Sequence, residues 1–209
     1  PDLAALDKGM PNLIRHVSNI KNVYGLPVVV AVNRFPDDTQ EELDAIISAC
    51  RTLGVNVALS EVWAKGSEGG EDLAREVCRL CEEPRNFRFC YELELPIEEK
   101  LRALVQKIYG GIDVSLTAEA RKQAVSIQAL GMDGLPVCVA KTQYSFSDDP
   151  KKTGAPEGFT VTVRQLKVAA GAGFIVALTG DIMTMPGLPK IPAAENIDVS
   201  AEGVIRGLF

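Results

Sequence analysis

With 209 residues, 46% of them hydrophobic and 24% charged, the chain has the composition of an ordinary globular protein and the length for one large domain or two modest ones. Its 22 basic and 28 acidic residues leave a net charge of −6, and no dense Lys/Arg stripe with interleaved aromatics occurs, so nucleic acid is not an expected partner. No stretch approaches the roughly 18 uninterrupted apolar residues of a membrane span, and the first residues lack the basic-then-apolar profile of a secretory signal, so a cytoplasmic chain that engages no membrane is expected.

Residues 3 to 24 carry Leu13, Val17, Ile20 and Tyr24 at helical spacing, with an interruption predicted where Gly9-Met10-Pro11 starts a new turn. The run from Leu26 to Val32 is rich in β-branched residues and does not alternate, the pattern of a central strand buried on both faces of a parallel sheet. Asp38 or Thr39 is placed to cap a helix ending near Leu53, with Glu41 and Glu42 at its positive end and Gly54 at its stop. Residues 55–59 read as a second strand and residues 70–82 as the next helix. Helix, strand, helix, strand, helix in this order predicts parallel pairing. Beyond Pro84 the alternation loosens: residues 87–95 read as extended, 97–109 and 118–130 as helices, and 136–140, 159–163 and 174–178 as strands. Residues 144–158 form a polar loop too long for a simple connector. These shifts place a boundary near residue 85, giving domains 1–85 and 86–209. Two strands before that boundary are fewer than the about four to six of a typical sheet, so further strands are expected before Pro1.

The five cysteines are odd in number and sit in apolar surroundings, as reduced thiols do. Cys78 and Cys81 form a CxxC inside a helical pattern with no second Cys or His pair, which predicts core packing rather than a metal or redox site. The single histidine, His16, is expected at the surface, and one imidazole supports neither a His-rich zinc site nor a Ser-His-Asp triad.

Three constellations offer chemistry. Phe35 and Trp63 each follow the carboxyl end of a predicted parallel strand, where open α/β sheets bind ligands, so the rings are placed either to clamp a flat heterocycle or to cap the core. Beside them stand Asn33, Arg34, Asp37, Asp38, Glu61 and Lys65, a set able to read ring nitrogens and hold carboxylate or phosphate, although capping by Asp38 explains part of it. The third comprises residues 179–189 with Lys141 to Asp149: both follow strands and combine hydroxyls, carboxylates and turn formers, Pro186-Gly187 suiting a type II turn. Glu98 and Glu99 open a helix and read as dipole partners. The chain has no GxxxxGK(S/T), and its glycine-rich pieces at 66–70 and 171–173 are weak phosphate-loop signals alone.

The strings VVVAVNRFPDDT, ALSEVWAKGSEGG, AKTQYSFSDDP and TGDIMTMPGLPKIPAAENID, in this order, closely resemble formate–tetrahydrofolate ligases over essentially the whole chain, and the terminal VIRGLF resembles that family's C-terminus. The resemblance implies an α/β fold: the C-terminal part of a P-loop NTPase-like parallel-sheet domain, followed by a smaller α+β domain. It implies ATP, with Mg²⁺, as co-substrate, formyl phosphate as the activated intermediate, and attack by N10 of tetrahydrofolate on it. The family's aromatic pterin sandwich matches Phe35 and Trp63, Pro36 and Leu59 match apolar positions of the same site, and Asn33, Ala64, Lys65 and Gly66 would lie towards the nucleotide. Lys141, Asp181 and Thr184 belong to the matching strings without an assigned role. The family subunit is more than twice as long, with its phosphate loop in the N-terminal portion, so residues 1–209 alone are expected to be inactive, with catalytic residues and a partner surface in that portion. A homotetramer and a monovalent-cation effect are also implied. The alternatives are a folate-binding or assembly module without ligase activity, and a P-loop NTPase relative of other purpose.

Overall fold

A computed structural model describes residues 1–180, 182 and 189–208. Helix α1 (Leu3–Ser18) opens on Asp2, whose carboxylate accepts from Ala5 N at 2.9 Å, and continues as a wider turn over Asn19–Val23. The interruption predicted at Gly9-Met10-Pro11 does not occur. Pro11 lies on the exposed side of the helix, so the carbonyl left without its donor faces water, while Leu13 and Val17 pack the opposite side.

Strand β1 (Val29–Asn33) pairs in parallel with β2 (Asn56–Ser60), with Asn33 opposite Ser60. Between them runs α2 (Gln40–Thr52), started by a reciprocal box in which Thr39 caps Glu42 N and the Glu42 carboxylate accepts from Thr39 N at 3.1 Å. Gly54, at φ +63°, turns the chain after Leu53. Val17, Cys50 and Val55 are buried together, with Leu13, Val28, Val30, Ile46, Leu53 and Val57 around them, which sets α1 and α2 on one face of the pair. Among the described residues this sheet has two strands, and Ala31 of β1 is exposed in them.

After β2 come a short helix α3 (Val62–Lys65), a tight turn over Gly66–Gly70, and α4 (Glu71–Cys81). Helix α4 rests on the sheet through half-buried Leu73, Glu76 and Leu80, and Glu76 accepts from the Asn56 amide at 2.6 Å. Cys78 and Cys81 fall off that stripe and are exposed, so the expected core role of the CxxC is corrected: the inward face runs 73, 76, 80 rather than through the thiols.

The second half has its own core. Helix α5 (Ile97–Leu104), prolonged by a wider turn to Tyr109, and α6 (Ala118–Ala129) pack with a four-stranded sheet ordered β3-β5-β6-β4, where β3 is Asp113–Leu116, β4 Val137–Ala140, β5 Thr160–Ala169 and β6 Phe174–Thr179. β3 runs parallel to β5, β4 parallel to β6, and β5 antiparallel to β6. Leu101, Val105, Val161, Val163, Ile175 and Ala177 are nearly inaccessible at its centre. No strand forms over 87–95, and β3 was not anticipated. Lys100 is fully buried, its ammonium donating to the carbonyls of Asp133 at 2.5 Å and Leu135 at 2.9 Å. The two cores draw on non-overlapping stretches, residues 13–57 and 91–177. Asn19 Nδ2 to Ile108 O at 3.0 Å, Arg15 to Glu157 at 2.8 Å, and the His16 and Phe146 rings 4.8 Å apart join them. The chain is thus a mixed α/β protein with parallel-sheet elements. Strands β7 (Asp198–Val199) and β8 (Ile205–Arg206) form a small antiparallel pair near the end. The turn expected at Pro186-Gly187, together with Asp181, Thr184 and Phe209, lies outside the described residues.

Candidate functional site

The parallel register decides what stands at the sheet's rim. Because Asn33 is opposite Ser60, the next residues of both strands emerge side by side, and Arg34 N still donates to Ser60 O at 3.0 Å, extending the ladder by one bond. Phe35 is then fixed by a reciprocal turn: its N–H donates to Asp38 Oδ2 at 2.8 Å, and Asp38 N donates to Phe35 O at 3.1 Å. Asp38 therefore serves the loop, and capping of α2 falls to Thr39.

Across the rim, Trp63 sits in α3. Glu61 O accepts from Ala64 N at 3.0 Å and Lys65 N at 2.9 Å, while Glu61 N donates to Gly69 O at 2.9 Å, so 61–70 folds back on itself. Gly69 is required there: a Cβ would lie 2.4 Å from the Glu61 carbonyl carbon and oxygen. Gly66, at φ +61°, makes the turn out of α3.

The Phe35 and Trp63 rings lie 6.2 Å apart between centroids, tilted by 52°. They are 51% and 70% exposed, so neither caps the core. A flat ring sandwiched between them needs near-parallel faces about 7 Å apart, two contacts of about 3.5 Å each. The observed pair is a little closer and tilted.

Charge gathers next to the rings. The Glu61 carboxylate accepts from Lys65 Nζ at 2.6 Å and lies 3.7 Å from the Arg34 guanidinium. The bond from Lys65, and then the charges of Lys65 and Arg34, hold its pKa below the ordinary glutamate value. Two cations flank this carboxylate, and the Asp37 and Asp38 carboxylates stand in the Phe35 loop, so both signs of charge lie beside the aromatic pair. Of the other expected residues, Pro36, Asn33, Ala64 and Gly66 are exposed around this rim. Leu59 pairs with Val32 and is half-buried, lining a groove of about 520 Å³ along the open side of β2 with Ile47, Asp72 and Glu76. Ser60 and Gly69 were not singled out by sequence. Ser60 is buried and acts through its carbonyl, which no side-chain pattern reports, whereas the Gly69-Gly70 doublet was a visible but unspecific signal.

Lys141, Thr142 and Asp148 gather elsewhere, at the carboxyl ends of β4 and β6. Among the described residues, no three His, Cys, Asp or Glu side chains cluster as a metal site, and no helix is long and apolar enough to cross a membrane.

Comparison with known families matches residues 1–209 to Formate–tetrahydrofolate ligase. The chain belongs to the formate–tetrahydrofolate ligase family. The match spans every element described above, so the aromatic rim at Phe35 and Trp63 and the polar strand ends around Lys141 lie within the family region. The family is one of ligases of one-carbon metabolism acting on formate and tetrahydrofolate.

Proposed function

We propose that this chain supplies the pterin-binding wall of an ATP-dependent formate–tetrahydrofolate ligase, with Phe35 and Trp63 as the two faces and Pro36 and Leu59 as apolar flanks. The observation that carries the reading is the exposed aromatic pair at the carboxyl ends of two adjacent parallel strands. Two large rings more than half exposed side by side at a sheet rim offer faces on which a conjugated heterocycle can stack. Holding the pterin between the rings orients N10 of tetrahydrofolate towards the carbonyl of formyl phosphate, and positioning of this kind replaces a bimolecular encounter.

The nucleotide side lies along Asn33, Ala64, Lys65 and Gly66. Lys65, tethered by Glu61, carries the charge suited to a phosphoryl oxygen. Mg²⁺, when bound with ATP, neutralises developing charge on the transferred phosphoryl group. The phosphate loop is assigned to the N-terminal portion of the enzyme. On this reading residues 1–85 complete a P-loop NTPase-like sheet, 86–209 form a smaller α+β domain, and the working enzyme is a tetramer responsive to a monovalent cation. Because the sequence has no GxxxxGK(S/T), residues 1–209 alone bind the folate without turning over.

Calorimetry of the purified chain with tetrahydrofolate and, separately, MgATP tests this. Saturable heat with the folate alone is expected. No folate binding would leave an assembly module, and ligase turnover by these residues would overturn the assignment of catalysis to the N-terminal portion.

A further inference from the structure

Two loops leave the carboxyl ends of β1 and β2, one carrying Phe35 and the other Trp63, and few contacts join them. The bond from Arg34 N to Ser60 O, at 3.0 Å, ties them at the base, and beyond it the two rings meet with centroids 6.2 Å apart. Each loop otherwise closes on itself. Asp38 binds the Phe35 backbone, while Glu61 N donates to Gly69 O and Glu61 O accepts from Ala64 N and Lys65 N. Among the described residues, one side-chain polar contact crosses from loop to loop, Arg34 to Glu61 Oε1 at 3.7 Å.

The other oxygen of the same carboxylate, Oε2, accepts from Lys65 Nζ at 2.6 Å. Arg34 directly precedes Phe35 and Lys65 lies two residues after Trp63, so Glu61 stands between the two cations that flank the rings. Among the described residues neither cation forms an ion pair with any other carboxylate. The bond from Lys65 lowers the Glu61 pKa, which keeps the carboxylate ionised at neutral pH. If that charge is removed, the guanidinium and the ammonium face each other as like charges, and an attraction between the loops becomes a repulsion. All three side chains are partly exposed, so these pairs add little to global stability. What they govern is how the two loop tips stand to each other, which the backbone bonds at the base leave free.

We propose that Glu61 is a positioning residue of the aromatic rim: its carboxylate, set between Arg34 and Lys65, keeps the Phe35 and Trp63 loops facing each other before any ligand arrives. A pair of rings held in place beforehand loses less freedom on binding, so the ligand is held more tightly. The consequence for folate rests on the reading of the rim as a pterin wall; the effect on the free chain does not.

Glu61→Gln keeps the side-chain shape and the backbone bonds and removes the charge. Time-resolved fluorescence anisotropy of Trp63 reads the free chain, and calorimetry reads the tetrahydrofolate Kd, each in low salt and in about 1 M sodium chloride. In low salt the fast, local component of the anisotropy decay should grow in Glu61→Gln, and the Kd should rise about two- to fivefold, the scale of exposed ion pairs. In about 1 M salt, where charges are screened beyond about 3 Å, the variant and the unmodified chain should converge in both readouts. Glu71→Gln, which breaks a comparable exposed pair with Arg75 on α4 at 3.0 Å, should change neither. Should Glu61→Gln fail to fold, the unmodified chain gives the answer, since its own fast component should grow as salt weakens the bridge. An unmoved anisotropy in low salt, a difference that persists in high salt, an equal change in Glu71→Gln, or no salt response in the unmodified chain would each overturn the proposal. If the unmodified chain binds no tetrahydrofolate, the pterin reading fails and the anisotropy alone decides the role of Glu61. If Trp63→Ala loses the folate while Glu61→Gln changes nothing, the pterin wall stands and the role of Glu61 falls.

Discussion

Replacing Trp63 by alanine separates a ligand-facing ring from a structural one, because the two roles predict opposite balances of stability and affinity. The residue is 70% exposed, so the part withdrawn from solvent is roughly 75 Å² of a large side chain. At about 25 cal/mol per Å² that burial contributes at most about 2 kcal/mol, an upper bound because the unfolded chain also buries some of it. Stacking of a heterocycle on an aromatic side chain is worth about 1–3 kcal/mol, which corresponds to a rise in Kd of roughly 5- to 150-fold. Trp63→Ala should therefore cost at most about 2 kcal/mol of stability and leave the chain folded, while calorimetry records the lost tetrahydrofolate affinity. Trp63→Phe, which retains a ring, should recover most of it. In the intact enzyme the same substitution should raise the folate KM far more than that of ATP. Unchanged folate affinity in a folded Trp63→Ala chain, or equal loss for folate and ATP, would refute the reasoning.

Other substitutions probe the supports of the site and the fold. Gly69→Ala, which brings a methyl group onto the Glu61 backbone, should destabilise the 61–70 loop by about 1–3 kcal/mol and weaken folate binding without touching Phe35, read by calorimetry and by the amide spectrum of α3. Lys100→Met strands the Asp133 and Leu135 carbonyls and should lower unfolding free energy by roughly 2–4 kcal/mol in urea titrations near neutral pH. Burial lowers the Lys100 pKa in the folded chain, so between that value and the ordinary 10.5 the unfolded chain holds the proton more tightly and stability rises with pH. That rise should be missing from the Lys100→Met profile, and an identical slope in both chains would show that the group is not desolvated. Thiol labelling of the native chain should modify exposed Cys78, Cys81 and Cys138 rapidly and reach Cys50 and Cys90 only on unfolding; protected Cys78 and Cys81 would show α4 packed on its other face.

How much of this was legible in the sequence depends on whether the determinant is a pattern or a contact. The β-branched run before Asn33 located β1, and Thr39 three residues before Glu42 marked the start of α2. The parallel order followed from the alternation of elements, and it alone brought Phe35 and Trp63 to one rim. Strand β3 escaped because Asp113–Leu116 is four residues long between a Gly-Gly turn and the cap of α6, too short for periodicity to register. Strand β5 ran past the expected residue 163 because Gln165 and Lys167 alternate outward beyond the irregularity at Val163/Gln165. The two thiols of α4 were misjudged because the pattern gave an amphipathic helix while the rotation of its face was set by Asn56 and Glu76, a polar contact between elements. Pro11 misled for a related reason: exposure removed most of the penalty that a helical proline carries in a packed interior. The polar loop after Ala140 looked solvated, yet its serines and Phe146 are buried beneath it, since hydroxyl pairs satisfied within the loop need no water.

The chain has a single tryptophan, and that residue is the one assigned to the pterin. The most direct measurement is the intrinsic fluorescence of Trp63 during titration with tetrahydrofolate, with MgATP as the parallel ligand. The account predicts a saturable change in emission with tetrahydrofolate that is weakened by Phe35→Ala and absent with MgATP. Emission that stays unchanged while calorimetry shows the folate bound would contradict it, because the pterin would then lie away from Trp63.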